Sequence, residues 1–412
     1  MIHVRKAAAT IRGERARVFE LAAVVFLWQA AVGVYFISLV QQYLPEQLGT
    51  GAAFPGFAMA SYGVAKFLWQ TPAGWIADRL GRRVTMIAGM ALSLPVLAAM
   101  MATPNEVAFL AFSALLGMGA ATMWPAFMAH VGETTPRGRR TGTMSVLNIA
   151  QMAGIGIGTV VGVVMVDFVT YGAAFWACIG FSLLALVVTA RSIETGAVAP
   201  YAEVSGESKK RVHVDAAWTP SVFMLAVIVL FLTLGTSLHT PMIGAYTSDV
   251  LRVKMSFLAL LFPVPAVVAG AAMWKFGRLA DRLPRHVPLA AGLFVAAMSI
   301  FALTLTRNPY IAVNLVVLAG LAYAITIPAW GAAALDATDV GSRGLWLGAL
   351  SAVQGLGVAT GQGLGGVIGG VWGPLAPFKL AALLLLVALA LIVSHQQLQA
   401  RQRRAAATIP AG

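Results

Sequence analysis

Long apolar stretches separated by short polar ones recur along the whole chain. Each holds about 20 predominantly apolar residues, the length that an α-helix needs to cross the hydrocarbon core of a bilayer. The pattern therefore predicts an all-α membrane protein with twelve transmembrane helices. The predicted spans are 19–41, 53–77, 84–103, 107–131, 143–166, 171–191, 221–246, 256–276, 287–306, 309–334, 345–371 and 377–396.

The one long polar interval lies in the middle of the chain, between predicted spans 6 and 7. It runs from Ser192 to Thr219 and is rich in glutamate and lysine, which is typical of a flexible linker. We expect an amino-terminal six-helix bundle (1–191), a cytoplasmic linker (192–219) and a carboxy-terminal six-helix bundle with a short basic tail (220–412).

The two halves repeat each other at a constant offset of 203 residues. Pro125 recurs as Pro328, and the offset also pairs charged positions in the loops. Two glycine-rich helices can resemble each other by coincidence, but that would not produce matching charges in the loops. Two halves of equal orientation are pseudo-symmetric about an axis along the membrane normal. In that arrangement a substrate site lies near the bilayer midplane and rocking of the halves gives alternating access.

Composition and charge support a membrane location. The chain is 59% hydrophobic and 10% charged, with a mean hydropathy of +0.83, whereas a soluble domain carries about 25% charged residues. The net charge of +13 comes from short basic clusters between spans, which argues against nucleic-acid binding. All but five of the 28 lysines and arginines fall on the side of the amino terminus. The positive-inside rule therefore predicts a multi-pass protein with both termini in the cytoplasm. The short loops and the even number of helices are typical of a bacterial protein, so we expect it in the inner membrane.

Two further features limit the possibilities. The first apolar run has no clear small-residue cleavage site after it, so we expect it to remain as helix 1. The single cysteine, Cys178, can form neither an intrachain disulfide nor a cysteine metal site, and we expect no metal and no cofactor. An enzyme is disfavoured because no clustered nucleophile, acid–base pair or metal-ligand set is visible. A channel is disfavoured because rings of repeated polar side chains are missing.

A charged loop motif joins predicted spans 2 and 3. It matches every specified position of the signature loop G-x-x-x-D-R-x-G-R-R/K and so resembles the major facilitator superfamily. A second copy joins spans 8 and 9 but has Pro284 where the family usually has glycine. The resemblance covers essentially the whole chain, and it implies a twelve-helix bacterial secondary transporter. The first copy contains Gly74, Asp78, Arg79, Gly81, Arg82 and Arg83, and the second contains Gly277, Asp281, Arg282 and Arg285.

The loop motif also has a physical interpretation. Gly74 would let another helix approach closely. Asp78 lies at the membrane edge, where an unpaired acid is costly, so an ion pair to the other half would close an inner gate. The resemblance implies the same role for Asp78. The alternative is that the arginines of this loop only set the orientation of the helices in the membrane, through the positive-inside rule. Similar acid–arginine pairs in the family flank the next inner loops, so the predicted gating set also includes Glu133, Arg140, Asp336 and Arg343.

Glycines spaced by four lie on one face of predicted spans 5 and 11, where backbones can pack closely. Span 5 resembles the glycine motif of antiporters in the superfamily, but Thr159 replaces the proline that usually follows the central glycine. We therefore leave two interpretations open, helix packing between the halves and an antiport role. The glycines are Gly154, Gly156, Gly158 and Gly162, then Gly357, Gly361, Gly365 and Gly366.

Lys66 is the outstanding polar residue inside a predicted span. It comes twelve residues before Asp78, so it lies roughly 18 Å from the inner membrane edge. Tyr62 and Gln70, one turn away on either side, complete a polar stripe that should face the bundle interior. The segment 62–67 resembles helix 2 of organophosphate:phosphate antiporters, where a lysine serves an anionic substrate. Lys66 is thus predicted to contact substrate or proton; the alternative is structural pairing with an amide of span 11, Gln354 or Gln362.

The other polar candidates bear on what is carried. No carboxylate lies deep in a predicted span, so a cation would find no partner for its charge. His239 suits either proton coupling or hydrogen-bonded packing. Amides and aromatic rings that could orient a small ligand are Gln29, Trp124, Asn148, Gln151, Tyr323, Trp330 and Gln354.

These observations predict a secondary active transporter for a small anionic or amphipathic solute. We expect it to be proton-linked or to work by exchange, and to function as a monomer in membrane lipid. The alternative is a multidrug/proton antiporter of broad specificity, which the loop motif and the glycine run also fit.

Overall fold

The computed structural model describes residues 2–135, 140–193, 220–261, 286–336 and 343–407. All regular elements in these ranges are helices, and we number the long ones α1 to α12 in chain order. They are α1 (Ile2–Gly33), α2 (Phe54–Leu80), α3 (Arg82–Ala102), α4 (Glu106–Thr134), α5 (Arg140–Phe168), α6 (Tyr171–Ser192), α7 (Pro220–Leu238), α8 (Met255–Leu261), α9 (His286–Leu303), α10 (Pro309–Asp336), α11 (Arg343–Trp372) and α12 (Ala376–Ala407).

The predicted spans coincide with these helices wherever the structure describes them; of the span 256–276 it describes only residues 256–261, which lie in α8. Within the described ranges, seven helical segments are long and apolar enough to cross a membrane. α1 begins before its predicted span and α12 continues beyond its own. The reason is that alanine and arginine, which are abundant at both chain ends, favour helix whether or not lipid surrounds them.

Two predicted spans are less regular than their sequences indicated. α1 continues as a π-helix, Val34–Tyr43, and a short helical turn, Leu44–Gln47. α7 is followed by a 3₁₀ turn, Thr240–Met242, and a π-helical segment, Tyr246–Val250. Pro241 lacks a backbone N–H, which explains the break after α7. The spans predicted near 19–41 and 221–246 are found as helical segments Arg17–Gln47 and Val222–Val250, each with a π-helical part, and π-helical segments often mark functional regions.

The chain divides into two compact units. Unit 1 comprises Met1–Thr50, Ser61–Lys210 and Lys254–Leu260, and unit 2 comprises Gly51–Ala60, Arg211–Val253 and Leu261–Gly412. Each unit thus includes one short segment from the other half of the chain. These segments, 51–60 and 254–260, begin at positions related by the 203-residue repeat. The domain boundaries predicted at 191 and 220 stay a prediction, and residues 194–219 of the linker lie outside the described ranges.

The same helix pairing occurs in both units. In unit 1, α1 packs against α5 and α6, and α3 packs against α4 and α6. In unit 2, α7 packs against α11 and α12, and α9 packs against α10 and α12. The helix numbers of each unit 2 pair are those of a unit 1 pair plus six, as expected of two pseudo-symmetric six-helix bundles.

Glycines bring the fifth helix of each half against the first helix of the same half. A Cβ atom on Gly154 or Gly158 would collide with the α1 backbone at Phe26 or Ala30. In unit 2, a Cβ atom on Gly365 would collide with the α7 backbone at Leu238, and one on Gly361 would meet the Ser237 hydroxyl of α7. The expected close packing is therefore confirmed. Packing between the halves is found at Gly366 of α11, where an added Cβ atom would meet the backbone of Ala53 and Gly56 in the first half of the chain, whereas the contacts of Gly154, Gly158, Gly361 and Gly365 join helices of one half.

Candidate functional site

Lys66 lies on α2 in unit 1, partly buried beside aromatic side chains. The Tyr62 ring, one turn earlier, lies 6.0 Å from the Tyr35 ring and 5.0 Å from the Phe36 ring. No hydrogen bond or ion pair joins the Lys66 ammonium to another described residue of unit 1, and its pairing with Gln354 or Gln362 stays an open alternative. Gln70, at the other end of the predicted stripe, is exposed. The stripe therefore runs from an aromatic cluster to an accessible amide, with the ammonium between them.

Close helix contact holds this stripe in place. A Cβ atom on Gly117 of α4 would collide with the Tyr62 backbone, so α4 and α2 meet at a glycine. Farther along α2, the Trp69 indole Nε1 donates to Thr122 Oγ1 at 3.1 Å. The two contacts lie on either side of Lys66 along the chain, and they restrict rotation of α2 about its own axis.

The other candidates of unit 1 divide into packing residues and accessible ones. Gln29 is buried on α1, where its Cβ lies against Gly154. The Trp124 ring stacks on Phe127 at 5.9 Å and packs against the core of unit 1. Asn148 is exposed and Gln151 partly so.

In unit 2, His239 lies where α7 gives way to the 3₁₀ turn. Its ring is 5.2 Å from the Phe378 ring of α12. Trp330 packs against a small apolar cluster of α7 and α11. Tyr323 is half-exposed and Gln354 partly buried. Substrate contact by any of these side chains stays a prediction.

The loop between α2 and α3 depends on one glycine conformation. Gly81 has φ +90° and ψ 152°, a region that side-chain-bearing residues rarely adopt. Its backbone N–H donates to the carbonyl of Ala77 at 3.1 Å, closing α2, and its carbonyl accepts from Thr85 Oγ1 at 2.9 Å in α3. Gly81 therefore lets α3 begin directly after α2 ends.

The charged residues of this loop mostly contact neighbours in the same motif. Asp78 Oδ1 accepts from Arg82 Nη1 at 2.6 Å, and the Arg79 guanidinium lies 3.7 Å from the centre of the Trp75 ring. Arg83 Nη2 donates to the carbonyl of Ala190 at the end of α6. The Asp78 side chain is 67% exposed, so its pair with Arg82 contributes about 0–1 kcal/mol to stability.

Among the residues that the structure describes, a Cβ atom added at Gly74 meets nothing within 4 Å, so none of the described helices approaches closely there and the expected helix contact stays a prediction. For the remaining gating residues the structure provides no geometry. Gly277, Asp281 and Arg282 lie outside the described residues, as do the side chains of Glu133, Arg140, Asp336 and Arg343. A gating role for the set stays a prediction.

The two glycines of the motif should respond oppositely to alanine. We expect Gly81→Ala to lower the free energy of unfolding by about 1–3 kcal/mol, because alanine is strained at this φ and ψ. Gly74→Ala should be neutral or stabilising by about 0.5–1 kcal/mol, since alanine favours a helix interior. Thermal unfolding of the two purified variants in detergent checks this. Equal losses in both would contradict the assignment of strain to Gly81.

Sequence reasoning missed a second polar cluster in unit 1. It lies where the π-helix after α1 meets the end of α5. Gln42 Nε2 donates to Asp167 Oδ1 at 3.2 Å, and the backbone N–H of Ser256 donates to Asp167 Oδ2 at 3.1 Å. A signal was present in the pair Gln41–Gln42, two amides at the end of an apolar run. A cavity of about 610 Å³ lies close by, with Tyr43 and Tyr171 in its wall.

Comparison with known proteins accounts for the whole arrangement. Residues 21–317 match the family model of the Major Facilitator Superfamily. The proton-coupled antiporter flippase LtaA of Staphylococcus epidermidis is 22% identical over 353 residues, which are 84% of this chain and 85% of that protein. The multidrug resistance protein MdtG of Enterobacter lignolyticus is 24% identical over 285 residues, 66% of this chain and 68% of that protein.

Solved structures show the same fold. A bacterial homologue of the human lysosomal transporter Spinster, in an inward-facing and occupied conformation, superposes with a TM-score of 0.73 at 15% identity. The match covers 93% of this chain and 97% of that structure. The predicted all-α fold of twelve transmembrane helices in two six-helix bundles is thereby confirmed.

Proposed function

The chain belongs to the major facilitator superfamily, and on that premise we propose that it carries a small anionic or amphipathic solute in exchange for, or together with, protons. It is a multi-pass membrane transporter and not an enzyme. The proposal includes alternating access, a bacterial inner membrane with both termini in the cytoplasm, and function as a monomer.

The observation that carries the proposal is the environment of Lys66. An ammonium group inside a membrane span is costly unless a partner or water compensates it. The described residues supply none within ion-pair distance, and Tyr62, one helical turn away, belongs to an aromatic cluster with Tyr35 and Phe36. A bound anion would compensate the charge, and the apolar part of an amphipathic solute would suit the rings of Tyr62 and Phe36.

The relatives support the coupling mode. The name of LtaA describes a proton-coupled antiporter and a flippase, which agrees with proton linkage and with an amphipathic cargo. A second candidate function is broad-specificity multidrug efflux, which the similarity to MdtG favours. The two candidates differ in the charge of the solute, so binding of charged probes separates them.

The test is thermal stabilisation of the purified protein by a panel of organic anions, neutral solutes and lipophilic cations. A ligand that binds only the folded state stabilises it by about 2.7 kcal/mol at a hundredfold excess over its Kd. We expect anions or amphipathic acids to raise the melting temperature and lipophilic cations to leave it unchanged. Stabilisation by cations alone would refute anion transport and make multidrug efflux the working account.

A further inference from the structure

The starts of α2 and α8 each pack against the other half of the chain. Segment 51–60, which contains the first turn of α2, belongs to unit 2, and segment 254–260, which contains the start of α8, belongs to unit 1. Both segments begin an even-numbered span, so both lie on the side of the membrane opposite the amino terminus. The described residues thus include two contacts between the halves on this side, related by the 203-residue repeat.

The contact in unit 1 is polar. Asp167, in the last turn of α5, accepts through Oδ2 from the backbone N–H of Ser256 at 3.1 Å. Its other oxygen, Oδ1, accepts at 3.2 Å from Nε2 of Gln42, in the π-helix that follows α1. Gln42 is 3% exposed, so water has little access to its amide. Gln42 therefore orients the carboxylate, and the carboxylate binds the start of α8.

The contact in unit 2 uses the equivalent positions without a polar side chain. Position 167 moved by the repeat is Gly370, and position 256 moved back by it is Ala53. A Cβ atom on Gly370 would lie 3.4 Å from the Ala53 backbone nitrogen, so the same two positions meet in both halves. Gly366, one turn earlier on α11, lies against the Ala53 carbonyl oxygen. The two contacts share a geometry and differ in chemistry.

This chemical difference makes the unit 1 contact the harder one to open. The N–H groups in the first turn of a helix have no acceptor within that helix, and Asp167 supplies one for Ser256. A hydrogen bond to an ionised carboxylate is directional and about twice as strong as a neutral one. The backbone contact at Gly370 consists of dispersion attraction, which is weak for each pair of atoms and has no preferred direction.

We propose that the two contacts form an outer gate, that Asp167 is the latch that keeps both of them closed, and that Gln42 is its positioning residue. This inference rests on the proposed alternating access and membrane orientation. If the halves rock as bodies, the two contacts separate in the same step, so a bond in one of them also holds the other. Asp167 then determines how often the transport site opens to the outer side.

Hydrogen exchange distinguishes such a latch from a local contact. Asp167→Ala removes both hydrogen bonds of the carboxylate. Amide exchange is measured in detergent at constant pH for peptides that cover 51–60, 254–260 and the inner loop motif 74–83. We expect both outer segments to exchange about tenfold faster, the change that loss of one hydrogen bond to a charged group produces. The inner motif should exchange more slowly, because opening the outer side closes the inner one. Faster exchange at 254–260 alone, or at all three peptides, would overturn the proposal.

Two control variants separate the hydrogen bond from the negative charge. Asp167→Asn keeps an acceptor for the Ser256 N–H, and its new NH₂ group can donate to Gln42 Oε1, which has no partner among the described residues. This variant should retain most of the slow exchange, and a loss as large as in Asp167→Ala would refute a hydrogen-bonded latch. Asp249→Ala removes another acid on the same side, which accepts from the neighbouring Ser248, and should change none of the three peptides.

A variant of unit 2 tests the coupling from the other side, and it gives an answer even if Asp167→Ala does not fold. Gly366→Ala places a methyl group against the Ala53 backbone and should loosen segment 51–60. Because coupling is reciprocal, segment 254–260 in unit 1 should then exchange faster as well. Unchanged exchange there would show that the two contacts open independently, which would overturn the gate.

The positioning role of Gln42 has its own test. The repeat places Ala245 at the equivalent position, so Gln42→Ala gives the first half the side chain of the second. We expect the same exchange pattern as in Asp167→Ala with a smaller amplitude, because the carboxylate remains but is no longer oriented. No change in either outer segment would refute the positioning role. Stabilisation by anions is measured separately, so a failed latch leaves the proposed solute class standing.

Discussion

Lys66→Ala is expected to weaken binding and transport of the anionic solute by about thirtyfold, the equivalent of about 2 kcal/mol. Lys66 is partly buried one helical turn from Tyr62, whose ring packs on Phe36, and an anion without a counter-charge would be left in apolar surroundings there. Lys66→Arg should keep most of the binding because it keeps the charge. The measurements are thermal stabilisation by the anion that stabilises the wild type, and initial uptake of that anion into proteoliposomes.

A matched control is available on α12. Lys379 is exposed, so Lys379→Ala removes one positive charge without touching the candidate site. Its anion binding should equal that of the wild type. Unchanged anion binding in Lys66→Ala would exclude Lys66 from the site, and an equal loss in Lys379→Ala would show that net charge alone matters.

The second large effect concerns the contact between α5 and α1. A Cβ atom on Gly158 would lie against the Ala30 backbone, with the carbonyl carbon and Cα of Ala30 both 2.6 Å away. Backbone atoms cannot rotate aside as a side chain can, so the helices would have to separate. We expect Gly158→Val to destabilise the folded protein by about 3 kcal/mol, the upper range for overpacking. A fall in melting temperature in detergent measures it.

The repeat provides an internal comparison for this prediction. The equivalent residue, Gly361, meets the Ser237 hydroxyl first, and the nearest backbone atom, the Leu234 carbonyl oxygen, is 3.1 Å away. A hydroxyl can turn, so Gly361→Val should cost less than Gly158→Val. Gly180→Val on α6, where an added Cβ meets nothing within 4 Å, should cost least. Similar losses at all three positions would mean that β-branching in the helices, rather than the α1–α5 contact, causes the effect.

The spacing of the glycines shows which helix contacts a sequence pattern can predict and which it cannot. The interval of four residues correctly predicted that Gly154, Gly158 and Gly162 share a face that packs closely. It did not identify the partner helix, because any smooth helix surface can pack against such a face. For the same reason the sequence predicted a close helix contact at Gly74 that is not seen among the described residues. A glycine tells where a backbone can approach, and only the fold tells whether one does.

The polar residues also differ in whether the sequence alone reveals them. Lys66 stood out from the sequence because an isolated charge in an apolar run is visible without any knowledge of its neighbours. Asp167 did not stand out, because it lies at the end of a span where acids are common. Its importance comes from Gln42, 125 residues away in the chain, and Ser256, 89 residues away.

The sequence by itself determined the helix count, the duplication, the family and the buried lysine. The physical reason is that the bilayer sets the length of every span and requires each backbone polar group to be satisfied within its own helix. These constraints are local, so they can be read along the chain. The tertiary structure alone decided which helices meet at the glycines, where α1 and α7 depart from regular helix, and which donors surround Asp167. Those outcomes depend on side chains far apart in sequence, and their contacts form only when the helices pack.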